Sequence, residues 1–207
     1  MTASQPRMQD LPLKDVLASI AAKTPTPGGG AVACITAALA STLAEMVVNY
    51  SLGKKSLAEF EPFHRAALGK LQAFADRALS LAEVDAQAYE RMNLVWKLDR
   101  ADPRRAQDLP AAAEHAIQPP LRMLQTSVEL LRLLRQLAGK SNAQLNSDLA
   151  IAAILADAAA RAAEWNIRIN LPLLDNDAIR QSISESAESL LNQARALSDE
   201  TERACAI

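Results

Sequence analysis

Aromatic residues are scarce: three Phe, two Tyr and two Trp make up 3% of 207 residues. Strands draw heavily on aromatic and β-branched side chains, so this scarcity argues against a sheet. Hydrophobic residues still reach 50%, supplied mainly by alanine and leucine, both strong helix formers. Nowhere does the chain alternate apolar and polar residues with the period of two that marks a strand. Cysteine is equally sparse. Cys34 and Cys205 make no disulfide framework, so a reducing, cytoplasmic setting is expected. With only His64 and His115 to add, His and Cys assemble no metal-ligand cluster, and no metal is expected. His64, beside Pro62 and Phe63, is expected at the surface. A net charge of −2 offers no electrostatic basis for nucleic acid or an acidic membrane as partner. Met1 to Asp10 lacks the apolar core of a signal peptide. The apolar run from Ala31 to Ala44 is short for a bilayer and soon meets Glu45 and Asn49, so a soluble protein is expected.

What is present is helical periodicity. Leu13, Val16, Leu17 and Ile20 mark one-sided helix between Leu11 and Lys23, ended by Pro25. Lys23-Thr24-Pro25-Thr26-Pro27-Gly28-Gly29-Gly30 then opens into an alanine-rich helix, Ala31 to Leu52, too apolar to lie anywhere but in a core. A long amphipathic helix is expected from Pro62 to Lys97. After a loop from Asp99 to Pro103, a segment from Arg104 to Gln118 is expected to be broken by Pro110. Pro119-Pro120 should start another helix, which Gly139 caps. Asn146 or Ser147 can N-cap the next one, Leu149 to Ile169, where Asp157–Arg161 and Glu164–Arg168 are spaced for i,i+4 pairing. Asp175-Asn176-Asp177 signals the start of the last helix. The expectation is an all-α protein: a single domain over residues 1–207, a bundle of long helices around the alanine-rich one.

Asp85 is out of place. It lies four residues from Leu81 and Tyr89 and seven from Ala78 and Met92, on the apolar face of its helix. A carboxylate there must be paired, hydrogen-bonded or protonated. It is either a structural acid bonded to a neighbouring helix or, with its pKa raised by desolvation, a group able to take and give a proton near neutrality. The glycine turn is open to two readings as well. It can be an elbow between helices, or a place where a ligand oxygen meets the backbone donors of a helix N-terminus. Lys54 and Lys55 can compensate a helix dipole or capture an anion. Asn166 and Asn170, four apart, can present paired amides to a heterocycle or serve as a cap and a surface amide. Ser147-Asp148 can simply start a helix. No nucleophile elbow, P-loop or dinucleotide fingerprint occurs.

In order and spacing, four stretches resemble the cyclodeaminase/cyclohydrolase family, which includes the C-terminal domain of formiminotransferase-cyclodeaminase and the stand-alone methenyltetrahydrofolate cyclohydrolases. They are Thr24-Pro25-Thr26-Pro27-Gly28-Gly29-Gly30, Met46 to Lys55, Asp85 with Ala88-Tyr89, and Ser147-Asp148 ahead of Asn166 to Asn170. The resemblance runs from about Leu11 to Leu197. It implies an all-helical protomer in a homodimer, with a folate pocket near the subunit interface and no cofactor beyond the folate substrate. It also implies a proton-shuttling aspartate at Asp85, and folate-binding roles for Pro27, Gly28, Gly29, Gly30, Asn49, Lys54, Lys55, Asp148, Asn166 and Asn170. The chain departs from the family at Asn49-Tyr50-Ser51, at Ser56-Leu57 and at Leu98-Asp99-Arg100, where contacts to the folate tail are expected to differ. The activity so implied is hydrolysis of 5,10-methenyltetrahydrofolate, favoured by a free-standing domain. The alternatives are a formiminotetrahydrofolate cyclodeaminase and, from another class, a non-catalytic folate-binding or dimerisation module.

Overall fold

The structure, a computed structural model, describes residues 7–206. Of the N-terminal stretch expected to lack a signal core, Met1 to Pro6 therefore lie outside the described residues. Among those described there are six α-helices and no strand: α1 (Leu13–Ala21), α2 (Gly29–Asn49), α3 (Glu61–Trp96), α4 (Pro103–Leu137), α5 (Asn146–Asn170) and α6 (Asp177–Cys205). Short 3-10 turns fill the gaps before α1, α3, α5 and α6. The expected all-α architecture is the one found.

The alanine-rich α2 packs mainly between α3 and α5, and α4 lies against α3, α5 and α6. Small side chains make this possible. Ala31, Ala40 and Ala44 of α2 and Ala152, Ala153, Ala156, Ala159 and Ala160 of α5 are fully buried, which lets the two backbones approach closely. Helix α2 is long and apolar enough to cross a membrane by length and composition alone; 56% of its most apolar window is buried inside the bundle. Leu71, Leu124, Leu131, Leu134 and Leu149 complete the core at zero exposure, each contributing about 1.5–3 kcal/mol. Helix α1, by contrast, buries only Val16.

Three expectations are corrected. Pro110, Pro119 and Pro120 do not break the fourth helix, which runs unbroken over 35 residues. An interior proline costs about 3 kcal/mol, and burial of the apolar face of α4, Pro119 and Pro120 included, offsets it. His64 is not at the surface but fully buried. It continues the stripe of Ala67, Leu71 and Phe74, and its Nε2 lies 2.7 Å from the Lys140 carbonyl oxygen. Neither Asn146 nor Ser147 caps α5. A 3-10 turn, Ala143–Leu145, runs straight into it, and Asn142 caps that turn instead, accepting from the Gln144 N–H. The helix start at Asp175-Asn176-Asp177 does form, with the Asn176 side chain accepting from the N–H groups of Ala178 and Ile179.

Helices α2 and α5 are antiparallel. The start of α2 meets the end of α5 where Gly29 faces the Asn166 amide. At the other end, the Ser51 hydroxyl accepts from the Asn142 N–H at 2.9 Å while donating to the Val47 carbonyl. This arrangement decides which residues can share a site.

Candidate functional site

The start of α2, the middles of α3 and α4 and the last turn of α5 converge on a cavity of about 190 Å³. Pro25, Thr26 and Gly28 to Gly30 form one wall. Asp85 and Tyr89 come from α3, Ala116 from α4, and Asn166 and Asn170 from α5. The helical period of α3 brings Asp85 here on the same face as buried Ala78, Leu81, Ala88 and Met92.

Asp85 is half-buried and, among the described residues, forms no ion pair and no hydrogen bond. Burial pushes its pKa up to about 6, because the charged form loses hydration that nothing replaces. The approach of α2 to this acid depends on a glycine: a Cβ at Gly30 would overlap the Asp85 carboxylate. One turn further along α2, the Cys34 thiol is pushed up to about 12, by burial first and by the Asp85 charge second. It is a packing group, not a nucleophile.

Asn166 donates its Nδ2 to the Ala162 carbonyl and Asn170 donates its own to the Asn166 carbonyl, both at 2.9 Å. Each is an i−4 bond within α5, and it leaves the amide oxygen as the group available to a ligand. Opposite them, α2 starts at Gly28 with no side-chain cap, so the first N–H groups of the helix remain donors. The cavity thus combines a raised-pKa acid, amide acceptors and a helix N-terminus.

The residues singled out from the sequence separate into two groups. Asp85, Gly28, Gly29, Gly30, Asn166 and Asn170 meet at this cavity, and Pro27 joins its wall to α2 without lining it. Asn49, Lys54, Lys55 and Asp148 lie at the other end of the α2–α5 pair. The 21 residues of α2 separate the two groups by about 30 Å. Within this chain the two groups do not share a cavity. Pro25, Thr26, Tyr89 and Ala116 line the cavity although the sequence assigns none of them a site role. Tyr89 carried a signal, being one helical turn from Asp85. For Ala116 there was none in the period of α4, since only packing brings that turn alongside α3 and α5.

A sequence profile described as formiminotransferase-cyclodeaminase matches residues 12–189. The chain belongs to this family. Its relatives include the formimidoyltransferase-cyclodeaminase of Sus scrofa, 29% identical over 188 residues, 89% of this chain and 35% of that protein. The chain thus spans about a third of that relative's length. The methenyltetrahydrofolate cyclohydrolase of Methylorubrum extorquens is 29% identical over 191 residues, 90% of this chain and 92% of that one. The crystal structure of a formiminotetrahydrofolate cyclodeaminase from Thermotoga maritima superposes with a TM-score of 0.88 at 28% identity, covering 95% of this chain and 96% of that one. Membership in the family extends over the helices that build the cavity.

Proposed function

We propose that this chain is a folate one-carbon enzyme that hydrolyses 5,10-methenyltetrahydrofolate to 10-formyltetrahydrofolate, with Asp85 as proton shuttle. The observation that carries this is a half-buried, unpaired carboxyl group, its pKa near 6, set against Gly30 at the edge of a cavity. The bridge carbon of the substrate is part of a delocalised amidinium cation, and a carboxylate in a poorly hydrated setting stabilises such a charge. Asp85 takes a proton as water adds to the bridge carbon. It returns that proton to N5 as the carbon–N5 bond breaks, and the remaining hydroxyl releases its proton to solvent as the formyl C=O forms. The asparagine amides and the glycine turn hold the heterocycle. The Thermotoga structure, named a cyclodeaminase, favours a second reading in which N10 attacks a formimino carbon and ammonia leaves, with the same group moving the proton.

Loss of methenyltetrahydrofolate absorbance on adding the protein, run beside ammonia release from formiminotetrahydrofolate, tests both. Hydrolysis alone is the expected result; ammonia release alone would transfer the assignment to the second reading, and neither would refute both.

The working unit in this reading is a homodimer. Leu39, Ile151 and Ile154 stand 45–58% exposed on α2 and α5, between the two separated groups of residues. Leu13 and Leu17 of α1 are also exposed. A two-fold axis through this apolar strip would pair the α2–α5 faces antiparallel, in a self-complementary contact. It would carry Asn49, Lys54, Lys55 and Asp148 of each copy toward the Asp85 cavity of the other. The lysines would then meet the glutamate tail of a folate whose ring lies beside Asp85.

A further inference from the structure

The consecutive prolines in α4 have a consequence for one carbonyl alone. The Ala116 C=O would accept from the N–H of residue 120 in an α-helix, or of residue 119 in a 3-10 turn. Both are proline, and neither has a hydrogen on its nitrogen. The His115 carbonyl loses its α-helical donor to Pro119 but keeps Gln118 three residues on, and Ala106, four before Pro110, keeps Leu109. In the register of α4 the Leu121 N–H belongs to Ile117. Ala116 is therefore the turn of α4 at which the helix offers its own carbonyl neither partner.

The same residue is 7% exposed and lines the Asp85 cavity. A buried carbonyl without a partner is destabilising unless something outside the helix supplies a donor. Among the described residues no loop N–H does so. The nearby amides of Asn166 and Asn170 already donate to carbonyls of α5. What remains is a donor from within the cavity, water or a bound ligand.

We propose that the Ala116 carbonyl is a substrate-positioning acceptor, receiving an N–H of the reduced pterin ring; this rests on the folate reading given above. A reduced pterin carries donors at its 2-amino group, at N3 and at N8. Of the other polar groups on the α3–α5 side of the cavity, the Asp85 carboxylate and the two amide oxygens are acceptors too, and the Tyr89 hydroxyl can accept or donate. That wall suits a donor-rich heterocycle, and the prolines keep one more acceptor open by denying it to the helix.

The test uses Pro120→Ala, which supplies the missing i+4 N–H and lets the helix reclaim the carbonyl. Inhibition of turnover by tetrahydrofolate is compared with inhibition by its 2-desamino, N3-methyl and 8-deaza analogues, each lacking one donor. In the parent chain one analogue is expected to bind several-fold more weakly than tetrahydrofolate. In Pro120→Ala tetrahydrofolate weakens by about fivefold, the scale of one neutral hydrogen bond, and the gap to that analogue closes. The melting temperature rises, since an interior proline is replaced by a helix former. Pro119→Ala, which supplies an i+3 donor, shifts the same ratio less. Pro110→Ala, in the same helix with its freed carbonyl at Ala106, raises stability and leaves all ratios alone. Unchanged analogue ratios in Pro120→Ala, even with weaker binding of every ligand, overturn the assignment while the folate function stands. A parent chain that neither binds nor converts folates removes the function and this assignment together.

Discussion

At one end of the α2–α5 pair an acid is held against a glycine, with no ion pair among the described residues. At the other, about 30 Å away along α2, Lys54 is half-buried, Lys55 exposed and Asn49 exposed. Both ends are helix termini of the same two antiparallel helices, yet one gathers acceptors around a half-buried acid and the other carries two lysines. The difference teaches how labour is divided. Desolvation sets a proton-transfer group only where water is excluded. A flexible, charged tail is best met by solvated lysines, whose attraction reaches outward and is tuned by salt.

The comparison breaks most visibly at the acid end. Asp85→Asn is expected to lower turnover of methenyltetrahydrofolate by a hundredfold or more, with the helical circular-dichroism spectrum unchanged. Parent-like turnover would remove Asp85 from the chemistry. Gly30→Ala is expected to cost about a hundredfold in kcat by displacing the same carboxylate, and a smaller loss would mean that α2 yields. Joining the two ends is the next test. Leu39→Asp with Ile154→Asp should yield monomers by light scattering and lose at least tenfold in kcat/KM, because repelling charges would open the apolar strip. Monomers with full activity would show that one protomer suffices.

At the lysine end, Lys54→Ala with Lys55→Ala should raise KM about five- to tenfold, an effect that shrinks at high salt, while kcat holds. A fall in kcat with unchanged KM would place the pair in the chemistry instead. The smallest effect is thermodynamic. Asp85 binds its proton more tightly in the folded chain, near 6 against an ordinary 3.8. Folding therefore favours the protonated form, and stability falls as pH rises through that window, with the full penalty present above about 6. Asp85→Asn is expected to stabilise the chain by on the order of 2 kcal/mol at pH 8, after allowance for partial solvent contact, and by little at pH 4. Melting curves across that range check it, and a pH-independent difference would mean that burial does not perturb this group.

Much of this was legible in the residues. The periods of α3 and α6 placed both helices to within a residue or two at their starts. The i,i+4 pair Glu164–Arg168 forms at 2.7 Å and Asp157–Arg161 is looser at 3.9 Å. Asp85 declared itself by standing on an apolar stripe. Local rules failed where packing outweighed them. Proline punctuation predicts a break in α4, but that helix is buried against its neighbours from Ala112 to Leu137, Pro119 and Pro120 included. The His64 ring was judged by its own polarity, when its place on the stripe of Ala67 and Leu71 already assigned it to the core.

The helical elements, the acid on its stripe and the glycine turn ahead of α2 were written in the chain itself, because helical period and backbone freedom are properties of a few adjacent residues. Which ends of which helices meet was settled only by the tertiary structure. Antiparallel packing of α2 on α5 brought Gly29 to Asn166 and sent Asn49, Lys54 and Asp148 to the far end, while packing of α3 on α2 and of α4 on α3 and α5 added Asp85 and Ala116 to the cavity. Such pairings are fixed by how alanine-lined surfaces fit across the bundle, and no window of local sequence contains that information.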